Sequence, residues 1–273
     1  MMKILRRTIF ILFVVMFGAF VAFSINEKLH TDTTEPIITV PDEPLKISIN
    51  DPEEKMLEGI VATDGKDGDI TGNVIVESVS KFIRPGVCTV TYAVMDSDNH
   101  VAKATRTLEY TDYTAPEFYM KRVLVYSVDE EMDIHEAVGA RDCIDGDISD
   151  KVAIVATDYV ANTVGAFSVS LQVSNSMGDT IYLDITVHVE GNETMAPEIA
   201  LKKSLIYVKK GEKVNFEDYI QEVTIDGVVM EDFGMMIRTN FNSDIPGTYN
   251  VHYYVTTTTG YEGHSILTVV VEG

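Results

Sequence analysis

Tryptophan is absent from this sequence, and cysteine and basic residues are few. The two cysteines, Cys88 and Cys143, fall at non-equivalent positions of a repeat described below. A framework of several bridges, of the kind that staples small secreted domains, is therefore excluded. We expect both cysteines to be free thiols.

Positive charge is scarce. The 273 residues hold 21 basic and 43 acidic side chains, a net charge of −22. Three of the basic residues lie in the first seven positions, so the remainder carries 18 basic against 43 acidic residues, or −25. Nucleic acids and anionic surfaces are bound by Lys and Arg, so this balance disfavours them as partners. It is compatible with divalent cations or with basic partner surfaces.

Motifs for catalysis are also missing. The six histidines are scattered, with no His-x-x-x-His or Cys-x-x-Cys spacing for zinc, no Gly-x-Ser-x-Gly and no phosphate-binding glycine loop. We therefore expect a protein that is not an enzyme, with no catalytic or cofactor-binding residues. His188 and His252 fall at outward positions of predicted strands, where we expect solvated side chains.

One long apolar run opens the chain. Residues 1–7 form a basic flank, and residues 8–26 carry no charge over 19 positions, enough for a helix that crosses a bilayer. The positive-inside rule places the flank in the cytoplasm and exports the bulk of the chain. The sequence thus predicts a single-pass signal anchor in the cell membrane, followed by a polar linker at 27–34. The alternative is a cleaved signal peptide and a secreted protein.

An acidic motif recurs along the chain and indicates three repeats. Asp64-Gly65-Lys66-Asp67-Gly68-Asp69-Ile70-Thr71 recurs as Asp142-Cys143-Ile144-Asp145-Gly146-Asp147-Ile148-Ser149, and a remnant, Ile225-Asp226-Gly227-Val228, follows. Asp67 and Asp145 are 78 residues apart, and Asp145 and Asp226 are 81 apart. A period of this length makes each copy one small domain rather than one turn of a solenoid. The predicted domains are 35–113, 114–193 and a divergent 194–273.

Within each domain, strands alternate inward and outward. After Gly86 the apolar side chains recur at every second residue, and the same pattern follows Gly165 and Gly247. Strict alternation of β-branched and aromatic residues is typical of half-buried antiparallel strands. Six or seven short strands in about 80 residues predict an all-β chain of three tandem immunoglobulin-like β-sandwiches after the N-terminal transmembrane helix. Aliphatic and tyrosine side chains must fill the cores, since tryptophan is absent.

The motifs of residues 62–71 and 85–99 carry a family resemblance. Ala-x-Asp-x-x-Asp-Gly-Asp-Ile-Thr, then Pro-Gly-x-x-x-Val-x-Tyr-x-Val-x-Asp-Ser-x-Asn, resembles the bacterial Ig-like surface repeats, which are related to hyalin-type repeats and are broadly cadherin-like. The resemblance covers residues 35–273 and is weakest in the third repeat. It implies a sandwich fold and a surface location, but no single ligand or reaction.

The acidic loops have two interpretations. In the first, Asp67 and Asp145 accept backbone N–H bonds in Asx-turns, the glycine that follows each takes a positive φ, and Ile70 and Ile148 enter the core. In the second, three carboxylates per loop begin a calcium site, since Ca²⁺ takes six to eight oxygen ligands. The candidate ligands for calcium are Asp64, Asp67, Asp69, Asp142, Asp145 and Asp147. No site is expected in the third repeat.

Two functions follow from these observations. The first is a membrane-anchored cell-surface protein whose repeats act as adhesion, protein-binding or spacer modules. The alternative is an accessory carbohydrate-binding surface protein that serves a secreted enzyme. In that case exposed tyrosines must replace tryptophan as sugar platforms, and Tyr113, Tyr119 and Tyr261 are the candidates. The expected partner is a protein or a glycan at the cell surface.

Overall fold

A computed structural model describes residues 2–30, 33–192, 196–231 and 233–273, although the side chains of 2–5 and 26–30 are not described. Six sheets form three pairs, each a three-stranded sheet with a four-stranded sheet, after one N-terminal helix. This confirms the predicted all-β fold of three immunoglobulin-like sandwiches. The chain divides into two compact units, Met1–Ile83 with Val87–Thr111, and Arg84–Gly86 with Asp112–Gly273. The domain boundaries given above stay a prediction.

Helix α1 spans Met2–His30 and is longer than the apolar run that predicted it. Its segment Arg6–Ile25 has a mean hydropathy of 2.6, and none of it is buried within the structure. The first residues of the predicted linker are therefore helical, whereas Thr31 and Asp32 of that linker lie outside the described residues.

Domain 1 contains seven strands. They are β1 (Ile37–Thr39), β2 (Leu45–Ile47), β3 (Val61–Asp64), β4 (Gly68–Asp69), β5 (Ile75–Val79), β6 (Val87–Met95) and β7 (Val101–Tyr110), with short 3₁₀ helices at Glu53–Leu57 and Thr71–Asn73. The sheets have the orders β1-β3-β4 and β2-β7-β6-β5, and only β2 and β7 pair in parallel. The long strands β6 and β7 form because β-branched and aromatic side chains alternate along them.

A tyrosine takes the centre of the domain 1 core. Tyr92 on β6 is fully buried, and its hydroxyl donates to the carbonyl of Met56 at 2.7 Å. The equivalent residue of the third domain, Tyr253, is also fully buried and donates to the carbonyl of Phe216 at 2.8 Å. Each ring supplies apolar area while its hydroxyl stays bonded, as a buried tyrosine requires.

Domain 2 repeats this plan with one extra helical turn. It contains β8 (Glu117–Met120), β9 (Val125–Ser127), α2 (Ile134–Ala137), β10 (Val138–Asp142), β11 (Gly146–Asp147), a 3₁₀ helix (Ser149–Lys151), β12 (Ala153–Thr157), β13 (Gly165–Ser174) and β14 (Thr180–Glu190). The sheet orders are β11-β10-β8 and β12-β13-β14-β9, with β9 parallel to β14. Asp133 caps α2 by accepting the N–H of His135 at 2.8 Å.

Domain 3 completes the series. It contains β15 (Glu198–Leu201), β16 (Leu205–Val208), a 3₁₀ helix (Phe216–Tyr219), β17 (Ile220–Ile225), β18 (Val228–Val229), β19 (Gly234–Thr239), β20 (Gly247–Thr256) and β21 (Glu262–Val271). The orders β15-β17-β18 and β16-β21-β20-β19 match those of the other two domains.

Domains 2 and 3 pack on each other within the second unit. Leu205 belongs to the buried core of domain 2, and Tyr207 and Val270 pack against that core. The backbone N–H of Phe118 donates to the hydroxyl of Tyr207 at 3.1 Å, and burial raises the pKa of that hydroxyl. Side chains of β16 and β21 thus close the joint between the two domains.

Candidate functional site: the acidic loops and the histidine cluster

The acidic loops are hairpin turns held by their first aspartate. Oδ1 of Asp64 accepts the N–H groups of Lys66 and Asp67, each at 2.8 Å, and Oδ1 of Asp142 accepts the equivalent pair at 2.9 Å. Both aspartates are buried. The Asx-turn therefore belongs to Asp64 and Asp142, and its assignment to Asp67 and Asp145 is wrong. The first aspartate is the residue that closes the strand, so its carboxylate faces the N–H groups of the loop.

The middle aspartates reach to a second turn. Asp67 accepts the N–H of Ser97 at 2.7 Å and its hydroxyl at 2.8 Å, and Asp145 accepts the same two groups of Ser176 at 2.7 and 2.6 Å. Lys151 adds an ion pair to Asp145 at 2.9 Å. The bonds from Ser176, followed by that from Lys151, lower the pKa of the Asp145 carboxyl. These side chains tie the acidic hairpin to the turn between the two longest strands of the domain.

The last aspartate of each loop is hydrogen-bonded to the first residue of the short helix that follows. Oδ1 of Asp69 accepts the N–H of Thr71 at 3.0 Å, and Oδ1 of Asp147 accepts the N–H of Ser149 at 3.0 Å and its hydroxyl at 2.5 Å. Bonds from Thr71 and Ser149 lower the pKa of these two carboxyl groups. The isoleucine between each pair enters the core, with Ile148 1 % exposed and Ile70 7 % exposed, as predicted.

One carboxylate oxygen differs between the two domains. In domain 2, Nδ2 of Asn175 donates to Oδ2 of Asp142 at 3.1 Å. Asp96 occupies the equivalent position of domain 1, where it binds Nδ1 of His100 at 2.7 Å, and Oδ2 of Asp64 is buried with no hydrogen-bond partner among the described residues. The structure brings each set of three aspartates to one end of its sandwich. Among residues 2–30, 33–192, 196–231 and 233–273, no group of three or more His, Cys, Asp or Glu is arranged to hold a metal ion. Calcium binding at the loops stays a prediction.

The third repeat has a shorter loop. Asp226 and Gly227 form a two-residue turn with φ of 47° and 75°, which joins β17 to β18. Two positive φ values in a two-residue hairpin are typical of a type I′ turn. The third repeat therefore keeps the hairpin turn. Among the described residues, it lacks the hydrogen bonds by which an aspartate joins this hairpin to a second turn in the first two domains.

Three histidines gather at the joint between domains 2 and 3. The ring of His188 on β14 lies 5.1 Å from that of His252 on β20 and 5.7 Å from that of His264 on β21. Nδ1 of His252 is 3.0 Å from Nε2 of His264, and Nδ1 of His264 is hydrogen-bonded to Glu190. Tyr254 stacks on His264, with ring centroids 4.6 Å apart. The expectation of solvated side chains at His188 and His252 is wrong, because the joint half-buries both rings.

Burial favours the neutral rings of His188 and His252 in this cluster. Burial, and then the other two histidines, lower the pKa of His188 to about 4. Burial and His264 also lower the pKa of His252. The bond from His264 lowers the pKa of the Glu190 carboxyl. When the neutral ring of His264 donates its Nδ1–H to the ionised Glu190, its Nε2 accepts the Nδ1–H of His252, which leaves Nε2 of His252 as an acceptor.

The predicted sugar platforms divide into two groups. Tyr113 donates its hydroxyl to Asp179 at 2.5 Å, and burial raises its pKa. Tyr119 lies under the guanidinium of Arg141, which is 4.8 Å from the ring centroid. These two rings are half-buried and serve packing. Tyr261 is 38 % exposed and lines a cavity of about 310 Å³ in domain 3.

Both cysteines are free thiols, as predicted. Cys88 is fully buried in domain 1, and burial raises its pKa to about 11. Cys143 is exposed in the second acidic loop, where its thiol donates to the carbonyl of Thr114 at 3.0 Å. A buried thiol of raised pKa is unreactive, so Cys143 is the accessible one.

Comparisons with known proteins give distant likenesses. No family model matches the chain. A curated relative, an uncharacterized 81.3 kDa protein of Acholeplasma phage L2, is 29% identical over 136 residues, which are 48% of this chain and 18% of the relative. The chain therefore spans under a fifth of that relative's length.

Solved structures that match parts of the chain at low TM-scores include a CBM51-2 structure and cadherins. CBM51-2 in complex with GlcNAc and INT domains from Clostridium perfringens ZmpB is 19% identical, with 57% of this chain and 42% of that chain covered and a TM-score of 0.29. The protocadherin GammaB4 extracellular domain is 13% identical, with 88% and 51% covered and a TM-score of 0.22. Drosophila N-cadherin EC1-4 is 12% identical, with 78% and 63% covered and a TM-score of 0.24. This chain spans less than two thirds of each.

Proposed function

We propose that the chain is a membrane-anchored cell-surface protein whose Ig-like repeats bind a surface partner or space one from the membrane. The observation that carries the proposal is an exposed apolar helix, Arg6–Ile25, that precedes three β-sandwiches on one chain. Apolar side chains such as Phe10 and Phe13 are 66 % and 63 % exposed in α1. A stretch of this length and exposure is stabilised by a bilayer, and the basic flank before it favours a cytoplasmic N-terminus.

A binding role, rather than catalysis, fits the chemistry of the exported part. The carboxylates of the acidic loops accept hydrogen bonds within their own domains, and this use is structural. The excess of acidic residues suits a partner with basic patches or a partner that binds through hydroxyl and amide groups. A protein and a glycan are both partners of this kind.

The binding role is tested by capture of the full chain on the envelope of its own cells. The protein, in a detergent that lacks sugar groups, is incubated with isolated envelopes before and after digestion of their proteins. Retention that protease removes supports protein binding. Retention that survives protease supports the alternative, an accessory glycan-binding protein. Absence of retention on either envelope contradicts binding and leaves the spacer role.

A further inference from the structure

A groove runs beside the histidine cluster, at the joint of domains 2 and 3. We call it the joint groove. Its volume is about 510 Å³, and its lining includes Thr186, Arg238, Asn240, Thr248, Asn250 and His252. Thr186 belongs to β14 of domain 2, and the others come from β19, β20 and the segment that connects them. Domain 3 therefore supplies most of the groove, and domain 2 adds Thr186 at its edge.

Arg238 makes no ion pair with the described part of this strongly acidic chain. It is exposed, and its guanidinium carbon lies 5.4 Å from the centroid of the Tyr254 ring. A guanidinium held over an aromatic ring keeps its planar fork of donors free for a carboxylate.

His252 lies directly across the strand pair from Arg238. The two residues are register partners of β19 and β20, so their side chains share one face. Because His264 engages Nδ1 of His252, Nε2 is the ring atom left for a ligand, and it accepts a hydrogen bond when Nδ1 carries the proton. A cation and an acceptor thus stand next to each other.

The rest of the lining offers amide and hydroxyl groups. The side chains of Asn240, Thr248 and Asn250 make no hydrogen bond with the described part of the chain. An asparagine amide both donates and accepts, which matches the vicinal hydroxyl groups of a sugar ring. The acidic side chains on the facing strand are already engaged, Asp184 by the hydroxyl of Ser170 at 2.6 Å and Glu190 by His264.

We propose that the joint groove binds a saccharide that carries a carboxylate, such as a hexuronate unit. Arg238 holds the carboxylate through its guanidinium fork, since such pairs are charge-assisted and often bidentate. Nε2 of His252 accepts a hydrogen bond from a sugar hydroxyl, and the side-chain amides of Asn240 and Asn250 bind further hydroxyl groups. The inference deepens the binding role proposed above and rests on it, but it concerns a measurable affinity rather than a location.

The test is a calorimetric titration of the full chain in a polyoxyethylene detergent, which carries no sugar. The probes are a β-1,4-linked glucuronate trisaccharide and cellotriose. They share linkage and ring, and they differ only at C6, which is a carboxylate in the first and a hydroxymethyl group in the second. Because a hydrogen bond to a charged group is stronger than a neutral one, we expect the acidic trisaccharide to bind at least about tenfold more tightly. The tripeptide Ala-Ala-Ala supplies a carboxylate without a sugar, and we expect no binding from it.

Three variants separate the contributions. Arg238→Gln should remove the preference for the acidic trisaccharide, whereas Arg141→Gln, which also removes an exposed arginine from a tyrosine ring, should leave it unchanged. Asn250→Ala should weaken both trisaccharides by a similar factor. The proposal is overturned if wild type binds the two trisaccharides equally, or if Arg238→Gln keeps the wild-type preference for the acidic one. It is also overturned if neither sugar gives heat, or if only the tripeptide binds. A negative titration would leave the surface location untouched.

Discussion

Nδ1 of His252 lies 3.0 Å from Nε2 of His264, and the two rings are nearly parallel, with an interplanar angle of 8°. The two residues sit on paired strands, β20 and β21, of domain 3. His188 of domain 2 meets both rings edge-on. A contact between two domains is therefore made of groups that gain charge when the pH falls.

The first prediction concerns acid. His188 has a folded-state pKa of about 4, below its ordinary value near 6.5, and that of His252 is lowered as well. The unfolded chain therefore binds more protons between those pH values, and stability falls as the pH falls from about 6.5 towards 4. We expect the joint to lose about 1 kcal/mol between pH 7 and 5, after allowance for partial exposure. Glu190 adds nothing in this window, because its lowered pKa acts below about 4.5.

Thermal unfolding at the two pH values measures this loss. His188→Gln should flatten the pH dependence, and His135→Gln, which changes an exposed histidine of domain 2 outside the cluster, should not. An identical pH dependence in wild type and His188→Gln would refute the mechanism.

The second prediction concerns the glycine of each acidic hairpin. Gly68 and Gly146 have φ of +72° and +74°, and a Cβ at either would meet no atom within 4 Å. Substitution by alanine therefore adds backbone strain without a clash, and we expect each variant to lose about 1 kcal/mol of unfolding free energy. Gly72→Ala is the control, since this glycine has equal space and no positive φ. Denaturant unfolding gives the comparison, and equal stability of Gly68→Ala and Gly72→Ala would contradict the argument.

The third prediction separates structure from calcium in the acidic loops. Asp145→Asn weakens the bonds from Ser176 and loses the ion pair with Lys151, so we expect about 1 kcal/mol of destabilisation. The loss should be the same in about 1 mM calcium and in chelator. Asp150→Asn, an exposed aspartate in the adjoining 3₁₀ helix, should have little effect. A calcium-dependent rise in wild-type melting temperature that disappears in Asp145→Asn would instead establish a metal site.

Much of the fold could be predicted from local pattern. The alternation after Gly86, Gly165 and Gly247 places inward residues correctly, because the two-residue period of a strand fixes the buried face. The positive φ of Gly68 and Gly146 followed from the sharpness of a hairpin loop. These features depend on residues that are close in sequence, and the alternating strand occurs once in each of the three repeats.

The site depends on contacts that no local pattern contains. His188 and His264 are 76 residues apart and come from different domains, so their meeting requires the packing of Leu205 and Tyr207 at the joint. An alternating strand indicates only that such side chains face outward. Similarly, the choice of Asp64 over Asp67 for the Asx-turn depends on which carboxylate the register buries. Outward histidines on the closing strands of two consecutive domains were the available signal.

The most direct test of the account uses the native cysteines in intact cells. Cys143 is exposed and Cys88 is fully buried, so a membrane-impermeant maleimide should label Cys143 alone if the domains lie outside the membrane. Cys143→Ser gives the blank, and Lys3→Cys in that background reports the cytoplasmic side. We expect a full-length, membrane-bound protein whose Cys143 is labelled before lysis and whose position 3 is labelled only after it. Labelling of Cys143 only after lysis would contradict the surface location on which the proposed function depends.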